Sequence, residues 1–146
     1  MGLMTAFFTT RPGRPSDRPF ILESWQSSHS LTTLGREMGP RYISEMKGMI
    51  NDILDRPSTK IRTAVLPEDD DAILGYAVVG HLETLTPRVY FVYVKQEARK
   101  LGIAKDLLGD LRDRQTIYTH KPNRTLAMML PKPDLWTFSF FRNWES

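Results

Sequence analysis

Two stretches of helical period, three of strand period and then a further helical stretch succeed one another along the chain. In the first, Phe20, Ile21 and Trp25 supply a buried side, and Ser16 or Asp17 followed by Pro19 predicts the helix start. The pattern breaks around Gly35 and Gly39-Pro40. From there Tyr42, Met46, Met49, Ile50 and Ile53 recur at helical spacing, predicting a second helix that runs to about Asp55 and stops before Pro57. Its methionines read as core filling. KIRTAVL, from Lys60, alternates as a strand, and EDDDA reads as a turn. ILGYAVVGHLE and RVYFVYV are β-rich runs separated by TLTP, the pattern of neighbouring antiparallel strands.

After Val94 the period changes again. Ile103, Leu107, Leu108 and Leu111 form one apolar face while Lys105, Asp106, Asp110 and Arg112 stay wet, which predicts an amphipathic helix beginning near Gly102. QTIYTH reads as the next strand, KPNRTLAMMLPKP leaves room for a short helix before Pro131 and Pro133, and DLWTFSFF completes the sheet. Trp136, Phe138, Phe140, Phe141 and Trp144 close the core in one reading. In the other, with Arg124 and Arg142, they form an acceptor surface suited to stacked nucleobases.

Composition narrows the class. A chain of 146 residues, 40% hydrophobic and 25% charged, fits one globular domain spanning residues 1–146. The absence of cysteine excludes disulfides and thiolate chemistry and points to a reducing compartment. No apolar run suits a membrane span, and MGLMTAFFTT has neither the basic start nor the long apolar stretch of a signal peptide, so cytoplasm is the expected location. The net charge of +3 is small but unevenly placed. Thr63 to Glu83 carries only acidic charges, whereas Lys95 to Lys105 holds Lys95, Arg99, Lys100 and Lys105 against the single anion Glu97.

This basic stretch coincides with the change of period, where a strand opens into a helix through a glycine turn. A helix start carries unpaired backbone N–H groups and the positive end of the dipole, and together these bind anions. Gly102 offers no side chain to obstruct a close approach, and Arg99, Lys100 and Lys105 add cationic donors. A pyrophosphate suits such a turn. There is no GxxxxGK[ST], and GxGxxG is incomplete, so Walker-type and Rossmann sites fit less well.

The run Arg99-Lys100-Leu101-Gly102-Ile103-Ala104 resembles the R/Q-x-x-G-x-G/A signature of the GNAT acyltransferase superfamily, with Val92-Tyr93-Val94 where that family has the preceding strand. Two helices, three strands and this strand–turn–helix are also the family's element order, and the likeness covers roughly Phe20 to Leu111, with a looser similarity to small phage or prophage members. The resemblance implies an α/β fold with a central mixed, mostly antiparallel sheet flanked by helices and an abbreviated C-terminal part. It implies acetyl-CoA (coenzyme A) as donor, with Arg99, Lys100, Leu101, Gly102, Ile103, Ala104 and Lys105 at the phosphates. Backbone groups at Val92 and Val94 would pair with the pantetheine arm and polarise the thioester. The acceptor is an amine of a small molecule or a protein.

The proton carriers are less defined. Glu83, read as the end of the third strand, and His81, two residues back on the same face, are the candidate base and relay; a turn glutamate and a half-exposed strand histidine are the plain alternative. The family's proton-donating tyrosine follows an asparagine by seven residues. Asn123 suits the asparagine, but the matching position holds Leu130, leaving Tyr118 or solvent to protonate the thiolate. His120 is read as structural, and no metal-ligand spacing surrounds it. Beside N-acyltransfer stand two alternatives: a phage-type nucleic-acid base modifier, supported by RPGRPSDR and the aromatic tail, and a silent CoA-binding or interaction protein, suggested by Leu130. The acidic patch Glu68 to Asp71 is a candidate attractor for a cationic acceptor. Oligomeric state is left open.

Overall fold

A computed structural model describes residues 7–30, 37, 39–119, 135–139 and 143. The described residues form a six-stranded sheet in the order β1 (Thr9–Pro12), β2 (Thr59–Leu66), β3 (Asp69–Gly80), β4 (Arg88–Val94), β5 (Thr116–Tyr118) and β6 (Trp136–Phe138). The first four strands are antiparallel to their neighbours; β4–β5 and β5–β6 are parallel. Helices α1 (Arg18–Ser30) and α2 (Pro40–Asp55) cover one face, and α3 (Ile103–Leu108) covers the other. This mixed α/β architecture is the one that the resemblance implies.

The two faces have separate cores. Ile21 and Trp25 of α1 meet Tyr42, Met46, Met49, Ile50 and Ile53 of α2 over Val65, Tyr76, Val78 and Phe91. Full burial of each such side chain contributes roughly 1.5–3 kcal/mol. Trp25 stacks on Phe91 with ring centroids 5.1 Å apart. On the opposite face, Ile103, Leu107, Leu108 and Leu111 pack against Ala77, Val79, Val89 and Val92, as the apolar spacing predicted.

Several boundaries differ from the expectation. β1 was not anticipated: it is four residues long, contains Arg11 and Pro12, and lies at the sheet edge, where a proline needs no ladder partner. Asp69, Asp70 and Asp71 belong to β3 and not to a turn, because Asp69 pairs opposite Leu66 and only Pro67 and Glu68 turn the hairpin. β3 ends at Gly80, three residues short of Glu83. The last helix breaks at Gly109, whose φ of 50° ends the α-helix, and a 3-10 turn (Gly109–Asp113) carries Leu111 into the core. Arg62 donates to the carbonyls of Leu107 (3.0 Å) and Leu108 (3.3 Å) and so satisfies the exposed end of α3.

A clamp of ion pairs ties the N-terminal segment to the sheet. Asp17 accepts both guanidinium nitrogens of Arg11 (2.8 and 2.9 Å) and the backbone N–H of Arg14 (2.7 Å) just before α1 starts. Arg14 reaches on to Asp70 at 2.7 Å, and Arg18 to Asp55 at 2.8 Å. The hydrogen bonds from Arg11, followed by that from the Arg14 backbone, hold the Asp17 carboxyl below its ordinary pKa despite its burial.

Candidate functional site

Strand β4 carries an extra residue. Val79 pairs with Val89 and Val78 with Phe91, so Tyr90 has no partner of its own, and the consecutive side chains of Tyr90 and Phe91 both enter the α1/α2 core. This is a β-bulge, which bends its strand and increases its twist. On the other side, among the described residues, β5 pairs with β4 at Arg88 and Val89, the Thr119 N–H donates to the Val89 carbonyl at 3.1 Å, and the Thr119 hydroxyl donates to the Tyr90 carbonyl at 3.5 Å. Among the described residues no strand pairs with this side of β4 beyond the bulge.

Part of the β4 backbone is therefore without a ladder partner among the described residues. Lys95 N–H donates to Leu74 O at 2.8 Å, so Lys95 and Tyr93 turn their peptide groups toward β3. By the alternation of an antiparallel pair, Val92 and Val94 turn theirs away from it. A cleft of about 500 Å³ opens between β4 and α1. Phe91 to Val94 and Arg99 form one side. Phe20, Glu23, Ser24, Ser27 and Ser28, one helical face at i, i+3, i+4, i+7 and i+8, form the other.

The basic turn follows at the same end of β4. A 3-10 turn (Gln96–Ala98) buries Ala98, and Lys100 and Gly102 then adopt left-handed φ values of 73° and 82°. Gly102 serves as the N-cap of α3, a conformation that costs a side-chain-bearing residue about 1–2 kcal/mol. A Cβ on it would meet nothing within 4 Å, so its place is dictated by the backbone angle and opens on free space. Gly75 on β3 supports this turn from behind: a Cβ there would stand 2.7 Å from Tyr93 O and 3.2 Å from Ile103 Cγ2, so the absent side chain lets α3 sit down on the sheet.

The predicted cofactor residues are thus neighbours. Arg99, Lys100, Gly102 and Lys105 are exposed around the turn, and Leu101 is 39% exposed. Ile103 and Ala104 bury their side chains in the core, so they can serve the turn only through their backbone. Arg99 Nε donates to Val94 O at 3.2 Å, which makes it a bridge between turn and strand as well as a cation. Asn123, Leu130 and His120 lie outside the described residues, as do Phe140, Phe141 and Trp144.

Glu83 and His81 are not brought to this cleft. Correcting the expectation, neither stands on β3: both fall in the β3–β4 turn, next to Arg88, at the opposite end of β4. Arg88 and Val94 are about 20 Å apart at ~3.3 Å per residue. Glu83 is exposed. His81 has a φ of 54°, and its Nε2 is buried without a hydrogen-bond partner. Burial, then the charges of Arg88 and Arg56, push its pKa below the ordinary value. The two residues line a separate cavity of about 320 Å³ with Ser58 and Lys60.

Other candidates are also redistributed. Tyr118 packs against Trp136 and Phe138 at 6.0 and 5.3 Å on the α3 side, and the phenol that lines the cleft is Tyr93. Tyr93 lies over Tyr76 at 5.5 Å, and the buried Tyr76 hydroxyl sits 2.6 Å from Ser24 Oγ, with burial raising its pKa well above the ordinary phenol range. Glu23 and the serines of α1 were missed, because a polar helix face reads the same in sequence whether it borders water or a cleft. Arg11, Arg14 and Arg18 are all paired with carboxylates, which removes much of the charge offered for a nucleic-acid surface. The same pairs draw on Asp70 and Asp71 of the acidic patch. No helix among the described residues is long and apolar enough to cross a membrane.

No protein-family model and no curated protein matches the chain. Solved structures do. A Pyrococcus furiosus protein assigned as an acetyl transferase aligns at a TM-score of 0.59 and 17% identity, over 84% of this chain and 89% of its own. An acetyltransferase of the GNAT family from Desulfovibrio desulfuricans aligns at 0.52 and 16%, over 84% and 78%. An aminoglycoside N-acetyltransferase in complex with CoA aligns at 0.52 and 15%, over 88% and 86%. The likeness is one of architecture: the chain has the fold of the GNAT acetyltransferases.

Proposed function

We propose that the chain is an acyl-CoA-dependent N-acyltransferase with acetyl-CoA as donor. The observation that carries this reading is the cleft lined by Phe91 to Val94 and Arg99, at the end of β4 that leads into the glycine turn. A diphosphate needs converging N–H groups and cations, and the turn from Arg99 to Lys105 supplies both. An extended polyamide arm needs unpaired strand backbone, and among the described residues Val92 and Val94 have no ladder partner on the side away from β3. The CoA held by the aminoglycoside acetyltransferase of the same fold agrees with this assignment.

Acetyl-CoA supplies the thioester; the chain supplies orientation and charge stabilisation. The backbone N–H of Val92 or Val94 is placed to donate to the thioester oxygen as charge develops on it, and a buried strand holds that donor without reorganisation. The α1 face across the cleft holds the acceptor amine close to the carbonyl carbon, and such positioning alone lowers the barrier by several kcal/mol. Calorimetry of acetyl-CoA against wild type and Gly102→Glu tests the reading. Binding to the wild type alone, with both proteins folded, supports it; equal binding or none removes it.

A further inference from the structure

The α1 face of the cleft carries one carboxylate, and nothing uses it. Glu23 is exposed, lines the space opposite Phe91 to Val94, and has neither a hydrogen bond nor an ion pair among the described residues. Its situation differs from that of the carboxylates of Asp17, Asp52, Asp55, Asp70 and Asp71, which are engaged by Arg11, Arg56, Arg18 and Arg14. Among the described residues, the other charged group lining the cleft is Arg99, which is tied to Val94 O at the β4 end. The cleft therefore has a positive end at the turn and a negative wall on α1.

The surroundings of Glu23 favour a cation further. Phe20, one helical turn before it, meets Tyr93 edge to face at 5.9 Å, so the two aromatic groups form the floor between α1 and β4. Lys95 Nζ already stands 5.5 Å from the Phe20 ring centre, so an incoming ammonium group is left to Glu23 and the Tyr93 ring. Ser24 and Ser28 add hydroxyls along the same helical face. An ammonium group beside a carboxylate and aromatic rings is attracted by both, whereas a carboxylate-bearing acceptor is repelled and an uncharged arylamine gains nothing from Glu23.

We propose that Glu23 anchors the acceptor by its ammonium group and so selects cationic aliphatic amines over arylamines and carboxylate-bearing amines. The assignment rests on the acyltransfer reading above. The balance of the step is simple. The ammonium group releases one proton to water and its nitrogen attacks the thioester carbon. The C–N bond forms as the C–S bond breaks, and the sulfur takes up the second proton that the nitrogen gives up. One thioester and one ammonium become one amide, one thiol and one proton.

The test uses the full chain with acetyl-CoA, following thiol release at neutral pH with glucosamine, spermidine, aniline and glutamate as probes. Glucosamine or spermidine should be acetylated and the other two left untouched. Glu23→Gln should then lower kcat/KM for the active amine about thirtyfold or more, through KM, while kcat stays within about threefold and acetyl-CoA affinity is unchanged; Glu23→Asp should recover part of the loss. These magnitudes are those of a charge-assisted contact made on binding. Aniline or glutamate consumed as readily as the cationic amines, a Glu23→Gln enzyme with wild-type KM, or acetyl-CoA bound with neither cationic amine consumed would each overturn the acceptor assignment and leave the cofactor reading standing. Failure to bind acetyl-CoA at all would instead strike the acyltransfer reading itself.

Discussion

Arg99 Nε donates to the carbonyl of Val94 at 3.2 Å, so the first cation of the glycine turn is fastened to the open end of β4. The contact joins the two halves of the proposed cofactor site, the phosphate turn and the strand edge, through one side chain. Arg99→Ala removes both the bridge and a charged donor. Acetyl-CoA affinity should fall by about 1.5–3 kcal/mol, or roughly ten- to a hundredfold, measured by calorimetry. Unfolding should shift little, since the side chain is exposed.

Gly102 separates backbone strain from obstruction. With open space around its absent Cβ, Gly102→Ala should destabilise the protein only through its left-handed φ, by about 1–2 kcal/mol, and should leave cofactor affinity nearly intact. Gly102→Glu carries the same strain but sets a carboxylate at the anion site, so its acetyl-CoA binding should be lost. Thermal unfolding and calorimetry of the pair distinguish the two effects, and equal affinities in both variants would exclude an anion site at this turn.

Gly75 is the packing counterpart. Any side chain there meets the Tyr93 carbonyl and then Ile103, neither of which can yield without moving β4 or α3. Gly75→Val should destabilise by about 1–3 kcal/mol and weaken acetyl-CoA binding through displacement of the turn. Loss of stability with unchanged affinity would show that α3 adjusts independently of the site.

The clamp at Asp17 makes stability depend on acid. Its carboxyl has a folded-state pKa depressed, first by the Arg11 hydrogen bonds, so its contribution is present above the unfolded value of about 3.9 and is lost as pH falls through the lower folded value. Melting temperatures of wild type and Asp17→Asn should therefore differ most at neutral pH, begin to converge below about pH 4, and meet only once pH has fallen past the lower folded value, where the carboxyl is neutral in both states. A gap that stays constant with pH would mean that the variant acts by misfitting the Arg11 site and not through charge.

Glu83 stands at the far end of β4 from the cleft, exposed in a turn. Glu83→Gln should leave acetyl-transfer kinetics within about twofold of wild type. A hundredfold loss of kcat, the size expected for removal of a general base, would place the acceptor at the β3–β4 turn instead.

Elements with strong periodic patterns were legible in the chain: α2 from Tyr42 to Ile53, β4 from Arg88, and the buried face of α3. Each buries one side completely, and burial leaves its mark on residue type. β1 left none, since four residues at an edge are held by backbone pairing with β2 and by the Arg11–Asp17 contact. Asp69 to Asp71 looked like a turn because strand propensity disfavours aspartate, yet pairing with β2 and the reach of Arg14 to Asp70 outweigh it. The basic turn was found through Gly102, whose role is local. Glu23 was not, because its importance depends on which side of α1 faces β4, a fact of packing that the α1 sequence does not state.

The bulge at Tyr90 bears on how related chains are to be sorted. A strand lacking that one residue would still alternate correctly, with Val89 and Val92 on the α3 side and Phe91 and Tyr93 on the other, so every core contact but that of Tyr90 could survive. What it would lose is the bend and extra twist of the bulge, and with them the direction in which β4 carries Val92 and Val94 into the glycine turn. On the acyltransfer reading, loss of a single codon would thus leave a stable chain with a misdirected cofactor site. The number of residues between Val89 and the glycine turn is accordingly a sharper guide to this site among such sequences than their overall resemblance.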